Sequence, residues 1–371
     1  MFRCRKGGWR WRFVSESAAS EAGDPLDMTG AQLVQEGHDS KSERGVFRRD
    51  GLYFKREIRI APFFAAAASR FFPPAREEFK SIMLLRRCGI PVVEPLGFGT
   101  DGRASILITR EEKGTVTVRE QLRRFEAVGE VPTDEFLTGW CEVTAALFRN
   151  RIYFPDFHNG NVLCRGASGG FVIVDPQGVR RSFADRENRR MKMLRRQYGE
   201  FFGAVPGRTV QKMLAVIAPE EDAERLYRRL MIHSAAYIRE HSLRKRRRLE
   251  KFRAGDCTLR SGGIEYRLDS AGNALTPEGA EPVDLPPDRA QALWERDYLL
   301  TLFQLPRLRI VARDLRSGTL YREAAAPGEP PEALRRDLLE RVGLAGFDPR
   351  EFDCRFDLRG REVLRDNGPL V

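Results

Sequence analysis

The sequence predicts an α+β chain in which short hairpin strands come first, helices follow, and a smaller α+β segment comes last. Asp50-Gly51 and Asp101-Gly102 each separate two short apolar runs, the strongest local hairpin signal, because both residue types tolerate a positive φ. From about residue 134, apolar residues recur at helical spacing. At roughly 150 residues per domain, 371 residues predict two to three folding units.

Composition excludes several classes of protein. Lys and Arg total 64 against 53 acidic residues, a net charge of +11, so the surface should attract phosphates, nucleic acid or an anionic membrane. Six scattered cysteines form no CxxC motif and no pair with histidine, which argues against zinc or disulfides and fits a reducing cytosol. We find no signal peptide and no apolar run near 18 residues, so we expect neither export nor a transmembrane segment.

The first hairpin and the helix after it carry two candidate polar residues. Lys55 lies on the predicted strand Leu52 to Glu57, where it shares a face with Tyr53. A helix is predicted from Arg76 to Cys88, with prolines before it and a glycine after it. Glu78 falls near the edge of its buried side.

The most informative segment is RIYFPDFHNGNVLCRGASGGFVIVDPQG, residues 151 to 178. Asp156 precedes Asn161 by five residues, two short apolar strands follow, and the second ends at Asp175. Two carboxylates and an amide at the ends of one small hairpin can converge on a single point. Phosphoryl transfer requires these three side chains close together. One carboxylate receives the proton of the acceptor hydroxyl, and the amide and the second carboxylate hold Mg²⁺.

This segment resembles the catalytic loop and metal-binding turn of the protein-kinase-like fold. With AREEFKSIMLLRRCGIPVVEPLGFG, ITREE and DFHNGNVL, the chain is most similar to the lipopolysaccharide kinase (Kdo/WaaP) family, over roughly residues 30 to 250. The resemblance implies a two-lobed fold, with an N-lobe at 1–111, a helical C-lobe at 112–254 and a C-terminal α+β unit at 255–371. No role is implied for that last unit beyond substrate recognition or partner docking.

The resemblance also implies roles for individual residues. Asp156 is the implied catalytic base, and Asn161 and Asp175 are the implied Mg²⁺ ligands. The resemblance implies that Lys55 contacts the α and β phosphates of ATP and that Glu78 pairs with Lys55. Thr109 and Glu111 are the implied adenine contacts, within the hinge Thr109 to Glu112. The loop Gly37 to Gly45 is implied to lie over the phosphates.

The sequence also departs from the general kinase pattern. Phe154 and Pro155 stand where that pattern has His and Arg, and Pro176-Gln177-Gly178 follows Asp175 in place of Phe-Gly. Neither a phosphorylated activation loop nor a switching phenylalanine is therefore expected. The five polar positions themselves are all present, which favours an active enzyme.

The implied activity is ATP- and Mg²⁺-dependent phosphorylation of a sugar hydroxyl of the lipopolysaccharide inner core, Kdo or heptose. The implied location is the cytoplasmic face of the membrane, with an anionic membrane surface as partner. Two alternatives stay open: another small molecule or a protein Ser/Thr as acceptor, and a basic nucleic-acid-binding protein. The basic runs lack interleaved aromatic residues, which argues against nucleic acid.

Three segments and one pair of residues allow two interpretations each. Arg186 to Arg196 and Arg239 to Arg253 either hold an anionic headgroup or form solvated helix faces. The Phe-rich stretch Ala61 to Pro74 either enters a membrane interface or packs within its own domain. Glu77 competes with Glu78 as the partner of Lys55.

Overall fold

We describe the protein from a computed structural model. It describes residues 1–38, 42–59, 73–128, 130–168, 170–182, 186–198, 205, 207–234, 237, 258–267, 274–302, 307–330, 332–345, 348–357 and 362–366. The chain is a mixed α/β protein with several sheets, and it forms two compact units. Unit 1 is Met1–Met193 with Val216–Pro219, and unit 2 is Leu194–Ala215 with Glu220–Val371.

Unit 1 contains a seven-stranded antiparallel sheet with strand order β1-β2-β6-β7-β5-β4-β3. The strands are β1 (Phe2–Lys6), β2 (Trp9–Phe13), β3 (Gln32–His38), β4 (Ser42–Arg49), β5 (Leu52–Arg59), β6 (Pro95–Thr100) and β7 (Ala104–Arg110). Lys55 therefore lies on an inner strand, between β4 and β7.

The Asp50-Gly51 hairpin is confirmed, because both residues have positive φ, 52° and 74°. The prediction of a polar loop from Gly37 to Gly45 is wrong at both ends. β3 continues to His38 and β4 begins at Ser42, so only residues 39–41 lie between the two strands, outside the described residues. The reason is tertiary: β4 pairs with β5 along its whole length, and Arg44 lies 3.4 Å from the Glu57 carboxylate.

The first thirteen residues, for which the sequence predicted no element, form the β1–β2 hairpin. Trp9, Trp11 and Phe13 stack in a row on one face, with ring centroids 5.4 and 5.9 Å apart, in a buried cluster shared with α1 (Glu16–Ala22). The opposite face carries two directly opposed arginine pairs, Arg3 with Arg12 and Arg5 with Arg10.

Close packing around Trp11 gives a first test of this arrangement. Gly99 lies opposite Trp11 on β6, and a Cβ there would collide with the indole ring. We expect Gly99→Ala to lower the free energy of unfolding by about 1–3 kcal/mol, the usual cost of overpacking. Denaturant unfolding measures the change. Combining Gly99→Ala with Trp11→Leu should recover part of the loss, and strictly additive effects would contradict the contact.

Helix α2 (Pro74–Arg87) packs on the face of the sheet that carries Lys55. It begins at Pro74, two residues before the predicted start, and ends at Arg87, with Cys88 as the C-cap residue. Phe79 contacts Phe98 of β6 with ring centroids 5.1 Å apart, and Ile82 is fully buried. This packing turns Glu78, also buried, toward the sheet.

The rest of unit 1 consists mainly of helices and short strand pairs. Its elements are α3 (Val118–Val128), α4 (Asp134–Arg149), α5 (Arg186–Tyr198, continuing into unit 2), β8 (Val116–Thr117), β9 (Ile152–Tyr153), β10 (Val162–Cys164), β11 (Val172–Ile173) and β12 (Arg180–Arg181). Thr133 caps α4 by accepting from the Phe136 N–H. Trp140 of α4 stacks on Phe157, which anchors the loop after β9.

Unit 2 contains a five-stranded sheet and a three-stranded sheet. Its elements include α6 (Gly207–Ile217, with its last two residues in unit 1), a helix at 223–234 (α7), β13 (Thr258–Ser261), β14 (Ile264–Arg267), β15 (Ala280–Val283), α8 (Pro287–Leu302), β16 (Ile310–Asp314), β17 (Leu320–Glu323), β18 (Ala325–Ala326), α9 (Glu332–Ala345), β19 (Phe352–Asp357) and β20 (Glu362–Asp366). Its interior is cross-linked by ion pairs such as Arg307 with Asp297 at 2.8 Å.

Some predictions lie wholly or largely outside the described residues. The Phe-rich stretch is described only at Pro73 and Pro74, and the basic run 239–253 is not described. Within the described residues, no helix combines the length and hydropathy that crossing a membrane requires. The three-part division at residues 111 and 254 stays a prediction.

Candidate active site

Lys55 is the centre of a three-residue ionic cluster in unit 1. Its Nζ donates to Glu78 Oε2 at 2.9 Å and also contacts Asp175 Oδ1. Of the two adjacent glutamates, Glu78 makes this contact, while Glu77 pairs with Lys80 at the surface. Residues 120 positions apart in the sequence thus meet at one ammonium group.

Burial and charge act in opposite directions on this cluster. Burial alone lowers the pKa of Lys55, but Glu78 and Asp175 together outweigh it, and the pKa is raised. Burial raises the pKa of Glu78, and the positive charge of Lys55 only partly opposes this. Lys55 therefore stays cationic at neutral pH.

The backbone around Asp175 is unusual. Asp175 has a φ of 49°, in the left-handed region that few residues other than glycine adopt. The N–H of Gln177 donates to the Asp175 carbonyl oxygen at 2.8 Å, and the Gln177 side-chain amide donates to Glu78 Oε2 at 3.3 Å. No role for Gln177 was predicted from the sequence, where Pro176-Gln177-Gly178 differs from the general kinase pattern.

Asp156 and Asn161 form the second half of the site. Asn161 Nδ2 donates to Asp156 Oδ2 at 3.2 Å and to the Asp156 carbonyl oxygen at 3.0 Å. The Asp156 side chain is half exposed, whereas Asn161 is buried. Because the amide nitrogen is used in this way, the amide oxygen of Asn161 is left to act as an acceptor.

One backbone ladder holds the two halves in register. Val162 lies opposite Ile173 in the β10–β11 pair, and the Val174 N–H donates to the Asn161 carbonyl oxygen at 2.9 Å. Asn161 and Asp175 therefore leave the same end of the hairpin, as the sequence predicted. The N–H of Val93 also donates to the Ile173 carbonyl oxygen, and this bond connects the hairpin to the segment before β6.

His158 lies beside Asp156. Its Nδ1 accepts from the Gly160 N–H at 3.1 Å, so in the neutral imidazole the proton is on Nε2. Nε2 is 3.6 Å from Asp156 Oδ2. The contact with Gly160 gives His158 a structural hydrogen bond within the loop.

The predicted hinge residues lie at the end of β7. Thr109 is paired on both sides, with Tyr53 of β5 and Pro95 of β6. The N–H of Glu111 donates to the Gly51 carbonyl oxygen at 2.8 Å, and its carboxylate pairs with Arg48 at 2.8 Å. Adenine contacts from Thr109 and Glu111 stay a prediction.

Comparison with known proteins finds many similar solved structures. The chain is similar to the solved structure "WaaP in complex with acyl carrier protein", with 15% sequence identity and a TM-score of 0.44 over 59% of this chain and 92% of that one. A TM-score of this size assigns no residue roles. No protein-family profile matches the sequence, and no curated protein matches it.

The chemistry of the donors fits a magnesium ion. Asp175 offers a carboxylate and Asn161 an amide oxygen, and Mg²⁺ in phosphate-transfer sites is typically held by one or two such groups together with substrate phosphates. Within the described part of the chain, no group of three or more His, Cys, Asp or Glu side chains forms a candidate metal centre. Asn161 and Asp175 therefore suit an ion that arrives with a phosphate.

Proposed function

We propose that the chain is an ATP- and Mg²⁺-dependent kinase with a two-lobed protein-kinase-like fold. One observation carries the proposal: the Lys55, Glu78 and Asp175 cluster is linked through the Val174–Asn161 hydrogen bond to Asp156. A phosphate-binding cation, two oxygen donors for a divalent ion and a carboxylate base are the parts that phosphoryl transfer requires.

In the proposed reaction, Asp156 orients the acceptor hydroxyl and receives its proton. The hydroxyl oxygen forms a bond to the γ-phosphorus of ATP, the bond from that phosphorus to the β–γ bridging oxygen breaks, and ADP leaves. Lys55 binds the α and β phosphates, and Glu78 with Gln177 fixes the direction of Lys55. Mg²⁺ held by Asn161 and Asp175 supplies charge neutralisation on the phosphate oxygens.

The proposed acceptor is a sugar hydroxyl of the lipopolysaccharide inner core, Kdo or heptose. This part rests on the resemblance of residues 75–99 and 156–163 to the lipopolysaccharide kinase family. The net charge of +11 favours action at the anionic cytoplasmic face of the membrane. Another small molecule or a protein hydroxyl is the alternative acceptor within the same chemistry.

Two measurements test this function. We expect ATP to raise the melting temperature only when Mg²⁺ is present, because the ion and the triphosphate share a site. We also expect labelled ATP and extracted lipid A core to give a product heavier by one phosphoryl group, detected by mass analysis. Stabilisation by DNA or RNA alone would contradict the kinase assignment, and transfer only to another acceptor would contradict the lipopolysaccharide assignment.

A further inference from the structure

Tyr153 lies close in sequence to the proposed catalytic base Asp156. It is the second residue of β9 and lies three residues before Asp156. Its neighbours Ile152 and Phe154 are buried, at 4% and 0% exposure, while Tyr153 is only partly buried. Since side chains alternate along a strand, the Tyr153 ring lies on the side away from that core.

Two arginines from different elements contact this one ring. Arg180 of β12 lies opposite Tyr153 in the strand pair, and its guanidinium carbon is 5.2 Å from the ring centroid. Arg189 reaches the same ring from α5, at 5.4 Å. We call Tyr153, Arg180 and Arg189 the arginine–tyrosine cluster.

The two positive charges have no acidic partner within the described residues. No carboxylate there lies within 4.0 Å of either guanidinium, and the hydrogen bond found for Arg189 is to the Ser182 hydroxyl. Many other arginines of unit 1 do have such a partner, as Arg48 has Glu111 and Arg110 has Glu94. Arg180 is exposed, so an incoming anion can reach it.

The arginine–tyrosine cluster is joined to the candidate active site by short stretches of chain. Arg180 follows Asp175 by five residues, and between them Gly178 packs against Pro155, the residue before Asp156. The three residues from Tyr153 to Asp156 span at most about 10 Å. One acceptor molecule can therefore place a hydroxyl at Asp156 and an acidic substituent at this cluster.

We propose that the arginine–tyrosine cluster is an acceptor subsite that binds a carboxylate or phosphate group of the molecule being phosphorylated. Guanidinium groups bind such anions through two parallel hydrogen bonds, and the Tyr153 ring holds both guanidinium groups in place by cation–π contact. This inference rests on the proposed function and adds to it that the acceptor is anionic. It selects acidic sugars over neutral ones.

The test compares three acceptor sugars: Kdo, which carries a carboxylate, a heptose 7-phosphate, and the same heptose without phosphate. We expect Arg180→Gln with Arg189→Gln to raise KM for the acidic acceptors about 10- to 100-fold, the usual cost of losing hydrogen bonds to a charged group. KM for the neutral heptose should stay within about threefold. Arg180→Lys keeps the charge but loses the planar guanidinium. Its KM for the acidic acceptors should lie between that of the wild type and that of the double variant.

The matched control is Arg3→Gln with Arg5→Gln, which removes the same charge from exposed arginines of β1. We expect it to leave KM for all three acceptors unchanged. The carboxylate and phosphate arms identify which anion the subsite prefers. An equal change in KM for acidic and neutral acceptors, or the same change in the control, would overturn the subsite.

A binding measurement separates failure of the subsite from failure of the kinase proposal. Calorimetric titration of the three sugars into Asp156→Asn protein requires no catalysis. Binding of the acidic sugars that is lost in the Arg180→Gln, Arg189→Gln background supports the subsite even if no phosphate is ever transferred. Phosphate transfer without any arginine-dependent binding would leave the kinase standing and refute the subsite.

Discussion

Asp156→Asn is expected to lower kcat by about 10²–10⁴-fold, the usual contribution of a positioned general base. Asparagine keeps the size of the side chain, and its amide oxygen can still accept from Asn161 Nδ2, but it cannot take the proton of the acceptor hydroxyl. KM for ATP should change little, because nucleotide binding is assigned to Lys55 and to the Mg²⁺ ligands. Steady-state kinetics measures both constants.

The folded state should tolerate this change. The Asp156 side chain is 51% exposed, so removing its charge costs little stability. The matched control is Asp288→Asn, the same replacement at an exposed position of unit 2, which should keep full activity. A kcat within about threefold of wild type in Asp156→Asn protein of unchanged melting temperature would refute Asp156 as the base.

Lys55→Met is expected to affect both activity and stability. It removes the cation from a buried pair and leaves the Glu78 carboxylate uncompensated, a change that typically lowers the free energy of unfolding by about 3–5 kcal/mol. Phosphate transfer should be lost as well, since no other residue is assigned to the α and β phosphates. Denaturant unfolding and the labelled-ATP assay measure the two effects.

The stability loss should depend on pH in a defined direction. The pKa of Glu78 is already raised by burial, and without Lys55 nothing in this pair opposes that rise. A carboxyl group whose pKa is higher in the folded state than in the unfolded state favours folding while it is protonated. Its contribution to the free energy of unfolding is complete below the unfolded-state pKa and is lost as pH rises through the folded-state pKa. The difference in free energy of unfolding between wild type and Lys55→Met should therefore be larger at about pH 8 than at about pH 5.

Glu77→Gln is the control for the Glu78 side of this pair. The two glutamates are adjacent on α2, but the Glu77 side chain is 46% exposed and pairs with Lys80. We expect Glu77→Gln to change stability by less than about 1 kcal/mol, as for surface ion pairs in general. A pH-independent loss in Lys55→Met, or a comparable loss in Glu77→Gln, would contradict the buried pair.

Local turn chemistry and periodicity were enough to predict the elements that carry the site. The Asp50-Gly51 turn predicted that Lys55 lies on a strand, and the pattern of apolar residues predicted that Glu78 lies near the edge of the buried side of its helix. Asn161 and Asp175 leave one hairpin end because two short apolar strands are separated by a tight turn. In each case the signal lies within about fifteen residues of sequence.

The missed features depend on contacts between distant parts of the chain. Trp9 and Trp11 alternate with arginines, but no pattern within the first thirteen residues predicts that this segment pairs with β6. The predicted loop from Gly37 to Gly45 is shorter in the structure because β4 pairs with β5 along its whole length, and β3 in turn pairs with β4. The contacts of Gln177 with Glu78 and of Arg189 with Tyr153 follow from tertiary packing, which periodicity does not report.

The arginine pairs of the first hairpin have a consequence for association between molecules. β1 is an edge strand of the seven-stranded sheet, so its outer backbone groups are open to pairing with another chain. Like charges set opposite each other weaken the hairpin slightly, and burial with nearby arginines lowers the pKa of Arg12. The same charges repel a second copy of this edge. They therefore destabilise the hairpin slightly and protect it against edge-to-edge aggregation.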